Sequence, residues 1–325
     1  MGDGVTMNQP SGVSHAAGEC CGGIAASLVP FLVCHGSIMS RSKRLRVLSC
    51  VSLMVFLIPV RPAGAQDQET PDAEPEKVAT KDADAVADAD AVAALQPLFN
   101  QLIQAKSTRA TVELSADTIV DGAVINTQAS VYQIASQVPD QFTIYLKDEQ
   151  QRARIFCDGG STTIALSEQA YTVLEEPLAM QQAVFELPLP MGPYPEPILA
   201  LTMAGIDPAL SLMIGMKSVR LLDRNKFRGQ TPAIHFQGIQ EDDVRWDFWI
   251  TQDERPKPLR LRVDLTEMLR ANGGLELPPG YQYALRFDFK VWRIDHPNAA
   301  TLFRYNKIEG AKEYESIEAY FDDAK

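Results

Sequence analysis

The chain has 325 residues, of which 42 are acidic and 30 are basic, so its formal net charge is −12. An acidic chain without a basic stripe does not suit a nucleic-acid backbone, which argues against a nucleic-acid partner. Of its five cysteines and four histidines, only Cys157, His235 and His296 lie after residue 65, so that part of the chain is poorly equipped for a zinc site built on those two ligands.

Residues 39–65 have the three parts of a secretory signal peptide. Basic residues at 41–46 precede an apolar run from Val47 to Val60, and Ala63-Gly64-Ala65 forms a small-residue cleavage pattern. The apolar run is short for a transmembrane helix, which needs about 20 residues. We predict cleavage after Ala65 and export to the periplasm or beyond it. An uncleaved membrane anchor is the alternative.

Residues 1–38 have no recognisable role, and we interpret them as an extension from a misassigned start upstream of Met39. Lipidation at Cys50 is disfavoured because almost no apolar run precedes this cysteine. Removal of the signal would leave Cys157 as the single cysteine, and a lone cysteine cannot form an internal disulfide.

Residues 66–90 form an acidic zone with nine acids, two bases and few large apolar side chains. Such a stretch cannot bury enough apolar surface to offset its ordering entropy. We predict a disordered tether. A calcium-binding tract is the alternative, but the acids lack the spacing of a calcium loop.

Residues 91–325 have the size of one domain. The stretch that begins at Asp88 predicts an amphipathic helix, because apolar residues recur at intervals of three and four. Two long strands follow, joined at Asp121-Gly122, which is a strong hairpin-turn pattern. Shorter strands continue to about Val173, with a turn at 158–160.

The pattern then changes to helical spacing between Leu178 and Met216, with five prolines between 188 and 197. We predict a lid of short helices around a proline-rich loop. Methionine adapts to irregular apolar surfaces, which suits a lid over variable ligands, but the methionine pattern by itself favours simple core filling slightly more. The lid methionines are Met180, Met191, Met203 and Met213.

The stretch "DVRWDFWITQDERPKPLRLRVDL" at 243–265 alternates apolar and charged residues on both sides of a proline-containing connection. A period of two predicts a β-hairpin with one apolar and one charged face. The stretch 281–294 alternates in the same way. The predicted apolar wall consists of Trp246, Phe248, Ile250, Leu259, Leu261, Tyr283, Leu285, Phe287 and Phe289.

Consecutive strands with short connections predict an α+β fold with an antiparallel sheet. We expect the sheet to be strongly curved, as an incomplete β-barrel, with short helices over its concave face. The polar hairpin face, with Asp243, Asp247 and Asp264 among arginines, is interpreted as a solvated surface with cross-strand ion pairs rather than a glycosidase site.

The motifs "CDGGSTTIALSEQAYTVLEEP", "RGQTPAIHFQG", "VRWDFWITQDERPKPLRLRVDL", "FDFKVW" and "GAKEY" resemble an uncharacterised family of predicted periplasmic proteins. This family is related to the LolA and LolB lipoprotein carriers, and the resemblance covers roughly residues 92–315. It implies a half-open antiparallel barrel with a helical lid, whose apolar interior in the carriers holds acyl chains. The interior arginine and lid residues of the carriers have no matched position here.

These observations lead to competing hypotheses. The first is an exported, non-enzymatic carrier of lipid, lipoprotein acyl chains or another apolar ligand, with transient membrane contact at most. The second is an envelope protein-interaction or sensor module with the same fold and a filled core. An enzyme is the third hypothesis, but Cys157 fits a buried strand thiol and His235 a sheet histidine. We therefore predict no catalytic residues, metal ligands or cofactor.

Overall fold

The computed structural model describes residues 88–148, 152–189, 191–272 and 277–323. The predicted N-terminal extension and signal peptide lie outside these residues, as does most of the predicted tether. The first helix begins at Ala89, so the last residues assigned to the tether are helical.

The described residues form most of the helices and strands that the alternating and helical patterns predict, in a long antiparallel meander interrupted by short helices, of which Thr266–Asn272 was not predicted. The helices are α1 Ala89–Gln104, α2 Met180–Phe185, α3 Glu196–Ala200, α4 Ala209–Leu212, α5 Thr266–Asn272, a 3-10 helix Ala300–Phe303 and α6 Ile317–Asp323. The strands are β1 Ser107–Val120, β2 Ala123–Gln137, β3 Gln141–Lys147, β4 Arg152–Asp158, β5 Thr162–Ala165, β6 Ala170–Val173, β7 Met216–Asp223, β8 Lys226–Phe227, β9 Thr231–Gln240, β10 Arg245–Thr251, β11 Pro258–Asp264, β12 Gln282–Ile294 and β13 Lys312–Tyr314.

The strands form one open sheet in the order β13-β6-β5-β4-β3-β2-β1-β12-β11-β10-β9-β7, with β8 paired to β9. The predicted α+β class with an open, curved sheet is confirmed. One detail of the prediction is wrong: the sheet is not fully antiparallel, because β13 pairs in parallel with β6. A local pattern cannot encode this pairing, since the two strands are far apart in the chain.

The turn between β1 and β2 is the predicted one. Asp121 has φ 50° and Gly122 has φ 79°, the left-handed conformation that a two-residue hairpin turn of this type requires. The backbone N–H of Asp121 donates a hydrogen bond of 3.1 Å to the carbonyl oxygen of Gly280, which ties the turn to the loop before β12.

The hairpin of β10 and β11 also forms as predicted, but a bulge changes which residues face inward. Trp249 lies opposite Arg260, whereas Ile250 lies opposite Pro258, so Leu259 has no partner in the register. Pro258 therefore takes the buried position and Leu259 is half-buried. The prediction that Leu259 belongs to the buried apolar face is wrong because a bulge adds one residue and shifts the alternation.

Helix α1 lies against the β7 side of the sheet. Its N-cap residue Asp88 donates its backbone N–H to the carbonyl oxygen of Val219, at 2.9 Å. Near the other end, the side-chain amide of Gln101 donates to the carbonyl oxygen of Pro256, at 3.2 Å. The face that the three-and-four spacing predicts is buried, except that Val92 is half-buried and Ile103 is 42% exposed.

None of the helices among the described residues is both long and apolar enough to span a membrane.

Candidate functional site

The candidate site is the apolar inner face of the sheet. Most of the predicted wall is completely covered, with exposed fractions of 0 to 2% for Trp246, Phe248, Ile250, Leu261, Leu285 and Phe287. Tyr283 and Phe289, which alternate on the same strand, are half-buried near the sheet's margins. The ligand-lining role of all these residues stays a prediction.

The sequence interpretation concentrated on β10–β12 and missed an equally apolar surface on β1–β3. In β1 and β2 the register places Val112 opposite Tyr132 and Ala110 opposite Ile134, and all four side chains are buried. The alternation on β3 is visible in the sequence. A local pattern, however, does not indicate which strands the short helices will cover. The inward residues of this surface are Ala110, Val112, Leu114, Tyr132, Ile134, Phe142, Ile144 and Leu146.

We define the lid as residues 178–213, which connect β6 to β7 and include α2, α3 and α4. Met180, Met191 and Met203 are 2% exposed or less, and Met213 is half-buried. The predicted helical segment therefore exists, and its methionines mostly point into the protein.

Hydrogen bonds hold the lid over β1 and β2. The hydroxyl of Thr108 donates to the carbonyl oxygen of Thr202, and the backbone N–H of Ala204 donates to the hydroxyl oxygen of Ser136 at 2.7 Å. The hydroxyl of Tyr132 donates to the carbonyl oxygen of Met191. The lid thus covers the first strands of the sheet, which the sequence interpretation had not included in the apolar wall.

Close packing between lid and sheet depends on a glycine. Gly192 has φ +76°, and a Cβ at this position would lie 2.7 Å from the hydroxyl oxygen of Tyr132. A side chain here would therefore push the proline-rich part of the lid away from β2.

A half-buried acid, Glu196, and two phenols, Tyr132 and Tyr194, lie where the lid meets β2 and β9. Burial raises the pKa of Glu196, the first residue of α3. Burial also raises the pKa of Tyr132 and of Tyr194, and the negative charge of Glu196 adds to both shifts. The Tyr194 hydroxyl donates to the side-chain oxygen of Gln240 at 2.8 Å. These phenols are therefore neutral donors that fix the lid rather than acids that exchange protons near neutral pH.

Trp246 lies flat against the neighbouring strand β9. A Cβ on Gly238, its register partner, would be 2.2 Å from the indole carbon Cε2 and 2.7 Å from the terminal methyl of Met216. The strand needs glycine here because the ring occupies the space of a side chain.

The inner face is filled by side chains. Residues with no accessible surface leave no room for a water molecule beside them. Two open surface clefts among the described residues are lined by other side chains. One of about 550 Å³ is lined by Asp88, Asp90, Ala93, Ala94, Leu221 and Arg224, and one of about 180 Å³ lies around Arg245 and Arg270.

The outer face of β9–β12 carries the charged network that the sequence interpretation expected. Arg260 lies opposite Asp288 and donates to its carboxylate from Nε at 2.7 Å and from Nη2 at 3.0 Å. Asp247 lies 3.7 Å from Arg262 and 3.0 Å from Nε2 of His235. Asp247 and Asp288 are therefore paired across strands, whereas Asp243 and Asp264 line the cleft of about 180 Å³ beside Arg245 and Arg270.

Cys157 and His235 also occupy the positions expected of structural residues. The thiol of Cys157 is fully buried and donates to the carbonyl oxygen of Asp140 at 3.1 Å. The ring of His235 stacks on Trp249, with ring centroids 4.2 Å apart. The described part of the chain contains no cluster of three or more histidine, cysteine or acidic residues arranged to hold a metal ion.

The family model described as predicted periplasmic protein (DUF2092) matches residues 91–315. The chain belongs to this family. Membership of the family and the predicted periplasmic location are therefore confirmed. Among curated proteins, none matches this member significantly.

Three solved structures illustrate what this family member is similar to. A domain assigned as an outer membrane lipoprotein-sorting protein from Vibrio parahaemolyticus has 11% identity and a TM-score of 0.31, covering 66% of this chain and 96% of that chain. A DUF1329 family protein from Desulfovibrio piger has 8% identity and a TM-score of 0.31, with coverages of 66% and 97%. A LolA superfamily protein from Nitrosomonas europaea has 9% identity and a TM-score of 0.28, with coverages of 65% and 97%.

Proposed function

We propose that this protein is an exported, non-enzymatic binding or carrier protein for an apolar ligand, such as lipid or lipoprotein acyl chains. The observation that carries the proposal is the lid: a separate methionine-bearing segment packed on an extensive apolar sheet face. In this closed form the lid side chains occupy the place that a ligand would take.

The lid is suited to movement because its helices are short. Helices α2, α3 and α4 have six, five and four residues. Helices of this length are not stable on their own in water, so their order depends on packing against the sheet. An acyl chain that replaces those contacts can therefore displace the lid at modest cost, while the hydrogen-bonded sheet stays intact.

The methionines supply the adaptability that such an exchange requires. Met180, Met191 and Met203 have unbranched, flexible side chains, which can pack against the sheet or against a chain of variable length. The inward positions of β1–β3 and β10–β11 carry no charged side chain, so nothing on this face would oppose a hydrocarbon.

The test is hydrogen exchange on the purified domain with and without a neutral apolar probe, N-phenyl-1-naphthylamine. We expect the probe to bind with enhanced fluorescence and to accelerate exchange of the lid amides Met203 and Gly205. The amides of the β1–β12 pair should stay protected. Absence of probe binding, or binding that leaves the lid amides unchanged, would contradict the proposal.

A second candidate function is an envelope protein-interaction module, and one observation favours it. Residues 123–130 of β2 extend beyond β3 and pair with β1 alone among the described strands. This segment, "AVINTQAS", has no charge, and Val124 and Ile125 are 57% and 63% exposed. Natural sheets usually protect such an edge, and an extended segment of a partner protein could add to it as a further strand.

Replacing Ile125 with lysine tests this candidate because the change lies on the surface and leaves folding intact. Protein cross-linked from the periplasm should lose a specific partner in Ile125→Lys but keep it in Ile308→Lys, a control at another exposed isoleucine. Identical cross-linking patterns for wild type and Ile125→Lys would count against the interaction module.

A further inference from the structure

Trp246 is a buried hydrogen-bond donor without an acceptor. Its side chain is only 2% exposed, and its indole Nε1 has no hydrogen-bond partner among the described residues. Trp292 provides the contrast on the same sheet, because its Nε1 donates to the carbonyl oxygen of Leu201 at 2.8 Å.

An unsatisfied buried N–H is a destabilising arrangement that native proteins mostly avoid, so each instance calls for an explanation. A phenylalanine would supply an aromatic ring at this position of the wall without an unpaired donor. The N–H is therefore best explained by an acceptor that is absent in the closed, ligand-free form.

The surroundings of Trp246 indicate what kind of acceptor fits. Its register partners on the two neighbouring strands are Val263 and Gly238, and the methyl of Met216 lies close to its ring. A charged acceptor would find no counter-charge among these neighbours, and burying an unpaired charge is costly. A neutral carbonyl oxygen, by contrast, is satisfied by the single hydrogen bond that the Trp246 N–H can donate.

Trp246 also lies close to the C-terminal end of the lid. Met216 opens β7 three residues after the lid ends, and its terminal methyl lies beside the Trp246 ring. The buried donor is therefore next to the segment that carries the C-terminal end of the lid.

We propose that Trp246 Nε1 donates a hydrogen bond to the neutral carbonyl oxygen, ester or amide, of a fatty-acylated ligand. This inference rests on the proposed function and names the chemistry that the site selects. The apolar face accepts the hydrocarbon chain, and Trp246 distinguishes an acyl ester or amide from a plain hydrocarbon of the same length.

The experiment compares methyl laurate with tridecane, which have chains of similar size but differ in the carbonyl. Affinities are measured by displacement of N-phenyl-1-naphthylamine, and indole N–H signals are followed in a ¹H–¹⁵N spectrum of the domain. We expect the ratio of ester affinity to tridecane affinity to be about tenfold higher in the wild type than in Trp246→Phe, the effect of one hydrogen bond. The Trp246 indole signal should move downfield with the ester and not with tridecane.

Trp246→Phe should bind tridecane as the wild type does and lose the preference for the ester. The matched control is Trp249→Phe, which should keep the ester preference because Trp249 lies on the outer face of the same strand, opposite Arg260 and stacked on His235. If the ester binds but the Trp246 signal does not move, or Trp246→Phe retains the preference, the inference is overturned while the proposed function stands. If neither ligand displaces the probe, both are overturned.

Discussion

The indole N–H of Trp292 in β12 donates a hydrogen bond of 2.8 Å to the backbone carbonyl oxygen of Leu201 in the lid. The sheet register places Trp292 opposite Ala110, and a bulge next to this pair brings Trp292, rather than Val291, to the inner face. A bulge in the longest alternating stretch of the sequence thus creates one of the contacts that hold the lid closed.

Trp292→Phe should loosen the lid. The change removes the donor and leaves a buried carbonyl oxygen without its partner, which costs about 1–3 kcal/mol in free energy of unfolding. The lid amides of Met203 and Gly205 should exchange faster, whereas amides of the β1–β2 pair should not. Urea denaturation and hydrogen exchange measure the two effects. Uniform acceleration across the sheet would show that Trp292 supports the whole domain rather than the lid.

Phe287→Ala should destabilise the domain strongly, because Phe287 is fully buried on the inner face. Loss of a buried phenylalanine ring costs about 3–5 kcal/mol through lost burial and the cavity left behind. Phe321→Ala is the matched control, since Phe321 is 53% exposed and its loss should change the free energy of unfolding by less than about 0.5 kcal/mol. Similar denaturation midpoints for the two variants would mean that the inner face is wrongly assigned.

Gly238→Ala should be disruptive although it adds a single methyl group. The new Cβ would lie 2.2 Å from the Trp246 ring, and overpacking of this kind costs about 1–3 kcal/mol. At Gly160 the nearest atom to a new Cβ is 3.6 Å away, so Gly160→Ala should leave the melting temperature almost unchanged. Equal melting temperatures for both variants would contradict the packing of Trp246 on β9.

Asp288 gives the domain a predictable acid sensitivity. Burial acts to raise the pKa of Asp288, but the hydrogen bond and charge of Arg260, with the charges of Arg228 and Lys290, outweigh it and leave the pKa below its ordinary value. A carboxyl group with a lowered folded-state pKa stabilises the protein above its unfolded pKa, about 4. This stability is lost as the pH falls through the folded value.

Asp288→Asn should therefore be less stable than wild type at pH 7, and the difference should shrink as the pH falls below about 4. Melting temperatures of both proteins between pH 7 and pH 3 test this relation. A difference that stays constant or grows on acidification would show that the carboxylate is not stabilised by its arginines.

Local patterns predicted the elements well. The alternation of Trp246, Phe248 and Ile250 identified a buried strand face, and Asp121-Gly122 identified the turn between β1 and β2. The error at Leu259 has a physical cause: a bulge adds one residue at this position, and the local alternation does not reveal it, although Leu261 and Val263 beyond the bulge are buried as predicted.

The contacts between residues far apart in the chain could not be predicted from the sequence. The lid's own residues do not indicate that Met191 will accept a hydrogen bond from Tyr132, or that Thr202 and Ala204 will be hydrogen-bonded to β1 and β2. Trp246 was chosen for its apolar surface, and its unpaired N–H becomes visible only when the neighbours on β9 and β11 are known. Such features arise from tertiary packing and not from periodicity.

Native mass spectrometry of the chain from Gln66, exported in a bacterial host and purified without detergent, tests the proposed binding of an apolar ligand directly. A binding protein should carry a co-purifying species of lipid mass that is released on denaturation, and the emptied protein should take up methyl laurate. A protein that shows only its own mass and takes up no methyl laurate would contradict the binding role.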